Sequence, residues 1–330
     1  MDVPALGARV ADCLWPFLLA ACVANTLSAV LKAVTWRGLL DGVAGVGGRL
    51  RRFDLVSPLL VGALVNSGLP GRAGEVAKVV LARRRIERRG GAAGVAQVAG
   101  SIAAEHLVST LAWGVLAVAL IAVLPVPGAI RLVTVLAAAG CLILTVIIAR
   151  VPPPARVLGG RWRRPSRAAT DGWGAMHQSL RALRRPGALW GLFAAATGQW
   201  AAQWAAIMLT LQATGLGHVG PAAGGMILVT LTLAHAVPLL PGGVGMFQVA
   251  AMLPLTGAYG VDPGAALAFG ILLQLSETAV SVVLGLAFLI RENAAQPSTG
   301  TATGSPARRI TLRNAIRSST VLRASRAGRI

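Results

Sequence analysis

The sequence LVSPLLVGALVNSGL at residues 55–69 leads directly into Pro70-Gly71-Arg72-Ala73-Gly74-Glu75. As a helix the apolar part measures about 22 Å, short of the ~30 Å of hydrocarbon in a bilayer, and Pro and Gly then interrupt it. Arg37, Arg49, Arg51 and Arg52 precede it, and Arg83, Arg84, Arg85, Arg88 and Arg89 follow. A full crossing would strand one of these clusters outside, against the bias of basic residues toward the cytoplasm. The stretch therefore reads as a broken hairpin that enters the membrane and returns on the same side.

Working outward, the whole chain has 330 residues, 55% hydrophobic and 13% charged, with a mean hydropathy of +0.69. A water-soluble domain could not arrange that composition around one core, so the expected class is an all-α, polytopic membrane helix bundle. Apolar runs at 13–33, 98–124, 132–149, 188–211 and 265–290 are long enough, or nearly so, to cross. The first has no small-residue cleavage pattern after it and reads as a retained helix. A further run at 222–240 meets Pro241-Gly242-Gly243, and a short apolar piece follows at 246–254. Treating it as a second broken hairpin leaves 26 basic residues in loops 34–54, 82–96, 150–187 and the tail 291–330, against Arg9 and Arg131 on the other side. The net charge of +20 thus follows membrane topology and lipid headgroups, and no specific nucleic-acid partner is expected. Cys13, Cys22 and Cys141 lie inside apolar runs without redox or metal-ligand spacing and read as small hydrophobes.

The two turns carry one string, Leu69-Pro70-Gly71-x-x-Gly74 and Leu240-Pro241-Gly242-x-x-Gly245. Glu105 follows Pro70 by 35 residues and Glu277 follows Pro241 by 36, each inside a long apolar run. Two halves, about 13–149 and 188–290, therefore repeat the order helix, broken hairpin, Glu-bearing helix. With the parity above they form an inverted repeat, an arrangement associated with transporters whose site lies near the midplane. Chance recurrence of a common helix breaker is the competing reading.

Embedded charge is costly, at roughly 2.5–3.5 kcal/mol for a charged residue at a helix centre, so Glu75, Glu105 and Glu277 need a partner or a proton. Glu105 stands about 12 Å into its helix from the cytoplasmic side. Arg72, Glu75 and Lys78 form a compact group at the first break, read either as internal salt bridging or as a functional site. In the functional reading the freed backbone at Gly71, Gly74, Gly242 and Gly243 faces a lipid phosphate, gripped by Arg72 and Lys78. Glu105 and Glu277 then take protons or balance the cations. Gln199 and Gln203, one turn apart, read first as helix-to-helix hydrogen bonding, and Asn25 and Asn66 likewise. Trp15, Trp36 and Trp190 read as interfacial anchors. His106 and His235 have no metal-ligand spacing, no nucleotide loop or nucleophile and base pair appears, and neither cofactor nor enzyme activity is expected.

Thr35-Trp36-Arg37, then Asn66-x-x-Leu69-Pro70-Gly71-Arg72-x-Gly74-Glu75, then Ala104-Glu105 and Pro238-x-x-Pro241-Gly242-Gly243-x-Gly245 resemble the lysylphosphatidylglycerol synthase transmembrane, or flippase-like, membrane protein family. The resemblance covers roughly 13–290. It departs where His106, Gln248 and Gln274 stand at or near positions usually held by Arg, Glu and Arg. It implies a domain of the bacterial cytoplasmic (inner) membrane that moves an anionic phospholipid or a polyprenyl-phosphate-linked lipid between leaflets. The alternative is a non-transporting partner for a separate synthase or glycosyltransferase. Residues 1–290 would be the flippase-like domain, and no synthase domain is expected. The Ser/Thr/Pro/Gly-rich and then arginine-rich tail, 291–330, reads as disordered and cytoplasmic.

Overall fold

The computed structural model of the chain describes residues 13–43, 50–69, 73–123, 128–150, 163–236 and 245–294, with Val10 and Val46. Two groups in the sequence argument lie outside these residues: Gly71 and Arg72 at the first turn, and Gly242 and Gly243 at the second. Pro70, Pro241 and the tail beyond Ala294 lie outside them too. The chain divides into two units, Met1–Arg291 and Glu292–Ile330, and the architecture below belongs to the first.

Among the described residues the secondary structure is helical, in ten α-helices: α1 Trp15–Leu40, α2 Val56–Gly68, α3 Ala73–Arg88, α4 Val95–Val123, α5 Gly128–Arg150, α6 Arg163–Leu180, α7 Pro186–Ala213, α8 Gly220–Ala236, α9 Met246–Tyr259 and α10 Pro263–Ala294. Four segments are long and apolar enough to cross a membrane: Trp15–Leu40, Val95–Leu120, Gly217–Ala234 and Pro263–Glu292. The all-α membrane bundle expected from composition is what the chain forms. Length and composition alone would let α8 cross, although the Pro-Gly break after it suggested a hairpin arm. The 28-residue α7 is as long as the crossing helices, and it carries Gln199, Gln203, Gln212 and three tryptophans along its length.

The first hairpin is an antiparallel pair, α2 against α3. Its open end is closed by Arg89, which donates from Nε and Nη2 to the two carboxylate oxygens of Asp54 at 3.1 and 3.0 Å. Residues just before α2 and just after α3 are therefore adjacent, as a re-entrant path demands. Near its tip the Asn66 side-chain oxygen accepts the Gly74 N–H at 2.7 Å. A Cβ on Gly74 would stand 2.0 Å from the Gly62 carbonyl oxygen, so only glycine lets the arms approach this closely. The second hairpin, α8 and α9, is pinned by the Thr230 hydroxyl donating to the Ala250 carbonyl at 2.7 Å. Gly245, which opens α9, takes φ +86°, a left-handed conformation that favours glycine. The last glycine of each PGxxG string thus has a separate backbone reason to be there.

The order long helix, hairpin, Glu-bearing helix occurs twice, as α1, α2–α3, α4 and as α7, α8–α9, α10. The first helices of the two halves, α1 and α7, pack more extensively on one another than any other pair of elements. Each half has its own core. Trp36, Leu40, Leu55, Leu60 and Ile86 anchor the first, and Ile207, Leu211, Ile227, Phe247, Leu255 and Phe269 the second.

Two expectations need correction. Trp36 is not an interfacial anchor: α1 continues to Leu40, so its ring is only 2% exposed, and its indole N–H donates to the Ser101 hydroxyl at 2.9 Å. Trp15 and Trp190 are exposed, as anchors would be. The basic stretch 150–187 is not all loop, since α6 forms within it. Trp173, Met176 and Leu180 at i, i+3 and i+7 give α6 an apolar stripe, which packs against α4 and brings Gly172 and Ala175 up to Gly100.

Candidate functional site

Helical periodicity sets Asn25, Ser28 and Lys32 on one face of α1, Gln199 and Gln203 on one face of α7, and Glu277 and Ser281 on one face of α10. The fold turns these three faces toward one another. They line a cavity of about 300 Å³, whose apolar wall comes from Leu59, Leu60 and Ala63 of α2, Leu228 and Leu231 of α8, and Val280 of α10. Both halves contribute, and the walls are mainly apolar with a few convergent polar groups, as in small-ligand sites.

A polar chain crosses this space. The Gln203 side-chain amide donates to Glu277 Oε1 at 2.5 Å, and its carbonyl oxygen accepts from the Ser28 hydroxyl at 3.3 Å. Asn25 donates to the Ser276 hydroxyl at 3.1 Å, which ties α1 to α10 across 251 residues of chain. Gln199 donates to the Ser109 hydroxyl at 3.3 Å. The expected helix-to-helix bonding of Asn25, Gln199 and Gln203 is therefore present, and the same residues also line the cavity.

Lys32 is the cation of the cavity wall. Its Nζ lies 3.4 Å from Glu105 Oε1; the lysine side chain is 26% exposed and the carboxylate only 3%. The other carboxylate oxygen of Glu105 lies 3.4 Å from His106 Nδ1, a nitrogen also 2.8 Å from the Ile102 carbonyl one turn earlier. In α3, Lys78 donates to Glu75 Oε1 at 2.7 Å. Glu75 is also within electrostatic reach of His106 and Lys32. Lys32, Glu75, Lys78 and Glu105 thus form one charged group beside the cavity, with His106 at its edge, and the pairing of lysines with carboxylates is what permits burial.

Of the residues singled out in the sequence, Glu277 lines the cavity itself. Glu105 joins it through Lys32. Glu75 and Lys78 are brought together as an ion pair, with Lys78 buried, while the Gly74 N–H is taken by Asn66. Sequence reasoning missed Lys32, although a signal was present. Lys32 precedes Pro70 by 38 residues and Gln203 precedes Pro241 by 38; Ser28 and Gln199 precede the same prolines by 42. The partner of each embedded glutamate therefore comes from the same position of its half, as lysine in one and glutamine in the other.

Among the described residues no group of three or more His, Cys, Asp or Glu is placed to hold a metal ion. No curated protein and no solved structure matches the chain. A family model does match, that of the lysylphosphatidylglycerol synthase transmembrane region, over residues 1–285. A bundle of membrane-crossing helices, two Pro-Gly hairpins and a match over most of the length agree: the chain is a multi-pass membrane protein that belongs to the lysylphosphatidylglycerol synthase transmembrane-region family.

Proposed function

We propose that the protein binds the anionic headgroup of a membrane lipid, a phospholipid or a polyprenyl-phosphate-linked lipid, in the cavity between its halves. It then carries that headgroup between leaflets of the bacterial cytoplasmic membrane, with its arginine-rich loops and tail on the cytoplasmic side. It performs no chemical step on the lipid. The two halves act as an inverted repeat around the site, a reading favoured by the equal intervals from Lys32 to Pro70 and from Gln203 to Pro241.

One observation carries this reading: a cavity of about 300 Å³ holds a lysine, amides and hydroxyls opposite an apolar wall, and both halves line it. Lys32 supplies the charge for a phosphate, Ser28, Gln199 and Gln203 supply hydrogen-bonding groups, and the leucines of α2 and α8 offer a surface for the first methylenes of a lipid tail. Arg72, beside the first break, is a second cation for the headgroup in this scheme.

The test is transport by the full chain in liposomes containing fluorescent phosphatidylglycerol, scored by quenching of the outer leaflet. Wild type should expose inner-leaflet probe faster than protein-free liposomes, and Lys32→Gln should bring the rate close to that background. A wild-type rate equal to background for both phosphatidylglycerol and a polyprenyl phosphate would overturn transport and favour a non-transporting partner of a separate synthase or glycosyltransferase.

A further inference from the structure

Lys32 stands between two claimants. Its ammonium lies 3.4 Å from Glu105 Oε1, and it also lines the cavity. The contact with Glu105 is an ion pair without a formed hydrogen bond, because Glu105 Oε1 has no hydrogen-bond partner. An ammonium so placed can turn toward an anion in the cavity at little geometric cost. Glu105 cannot follow it, since its carboxylate is 3% exposed and α4 is packed on α1, α3, α5, α6, α7 and α8.

We propose that the Lys32–Glu105 pair couples anion binding to proton binding: an anionic headgroup in the cavity takes Lys32 from Glu105, and Glu105 then takes up one proton from solution. The charge balance is complete. One phosphodiester charge replaces the carboxylate charge as partner of the ammonium, and one proton neutralises the carboxylate left behind, which would otherwise be buried without its cation. The inference rests on the proposed headgroup site and adds to it a stoichiometry, one proton per anion. Because coupling between two sites is reciprocal, acid strengthens anion binding by the same factor by which the anion strengthens protonation.

The second half shows what the pair is for. At the position of Lys32 it has Gln203, whose amide donates to Glu277 and carries no charge to surrender. An anion arriving near Gln203 displaces no cation from Glu277, so the exchange belongs to the first half alone. The ionisable groups around Glu105 are Lys32 on α1, Glu75 and Lys78 on α3, and His106 on α4 itself. Of the other helices packed on α4, α5 carries Arg131 and Arg150, α6 carries Arg163, Arg164, Arg167, Asp171 and His177, α8 carries His235, and α7 carries no ionisable side chain. His106 Nδ1 lies 3.4 Å from the other Glu105 oxygen, so the experiment must separate the two side chains.

The experiment is calorimetric titration of the detergent-solubilised full chain with dihexanoylphosphatidylglycerol, and separately with inorganic phosphate, between pH 5.5 and 8. The lipid phosphodiester keeps one charge throughout this range, so any slope belongs to the protein. Wild-type affinity for the lipid should rise up to about tenfold per pH unit of acidification, the limit for one coupled proton. Repeating the titration in buffers of different ionisation enthalpy should count that proton without any substitution. Glu105→Gln, a permanently neutral side chain, should bind at pH 8 as tightly as wild type does in acid and show no slope; His106→Gln should keep the slope. A wild-type affinity flat with pH, no proton taken up, or a slope retained in Glu105→Gln and lost in His106→Gln would each overturn the coupling while leaving the headgroup site standing. Failure of both probes to bind would remove the headgroup site itself. Equal affinity for phosphate and lipid would overturn the lipid as the source of the anion.

Discussion

The two halves place a glutamate at nearly the same distance beyond a Pro-Gly turn, yet they satisfy it differently. In the first half Glu105 faces the ammonium of Lys32; in the second, Glu277 faces the amide of Gln203. One scaffold position thus holds a full charge in one copy and a neutral donor in the other. The lesson is that the same place in the order of elements can present a polar partner of different chemistry in each half. A buried ion pair costs more to break than an amide contact, so the halves should respond unequally to equivalent substitutions.

The largest effect should follow from Lys32→Met, which leaves the Glu105 carboxylate buried without its cation. The expected loss is about 3 kcal/mol, the lower end for removing one partner of a buried pair, because the lysine is partly exposed. Thermal unfolding in detergent measures it. The double variant Lys32→Met with Glu105→Leu should recover most of the loss, and failure to recover would mean that Lys32 stabilises the protein through contacts other than Glu105. Next comes Gly74→Ala: the new Cβ meets the Gly62 carbonyl, and the overpacking should cost about 1–3 kcal/mol. Gly245→Ala meets no atom within 4 Å but must adopt φ +86°, at roughly 1–2 kcal/mol. An unchanged melting temperature in either variant would break the backbone reason given for that glycine.

A smaller change than that of Lys32→Met is expected from Gln203→Leu. It removes the bonds to Glu277 and Ser28, and net losses of about 0.5–1.5 kcal/mol per bond apply. If it destabilises as much as Lys32→Met, the contrast between the halves fails. The smallest effect should come from Asp54→Asn at the open end of the first hairpin. Its partner Arg89 is about a third exposed, so solvent screening should hold the loss near 1 kcal/mol or less. Faster proteolysis after Arg89, with little change in melting temperature, is the expected signature.

Much of this was legible in the sequence, for identifiable reasons. The short apolar run at 55–69 between arginine clusters forced a hairpin, and α2 and α3 form one. Matching intervals from Pro70 and Pro241 found both embedded glutamates. Lys32 was passed over because the first apolar run was taken to end at residue 33, where a lysine looks like an ordinary helix end. In the fold α1 runs on to Leu40, held there by Arg37, which donates to the Leu50 carbonyl at 3.2 and 2.9 Å. The same misplaced end made Trp36 look interfacial. Helix α6 was missed because its arginines dominated the reading of loop 150–187, although its apolar stripe has helical spacing. The cavity itself was not legible, since its polar faces come from α1, α7 and α10 and its apolar wall largely from α2 and α8, helices distant in sequence that meet only in the fold.

That convergence gives the molecule a timetable. The Asp54–Arg89 clamp joins residues 35 apart, so the first hairpin can close soon after its last residue is made, while the rest of the chain is still on the ribosome. The Asn25–Ser276 and Gln203–Glu277 bonds instead wait for α10, and until then Asn25, Ser28 and Gln203 face a groove that lacks its third wall. The cavity is therefore enclosed only after α10 has been made, well after the first hairpin. A newborn chain closes its first hairpin early and completes its polar cavity only when α10 docks.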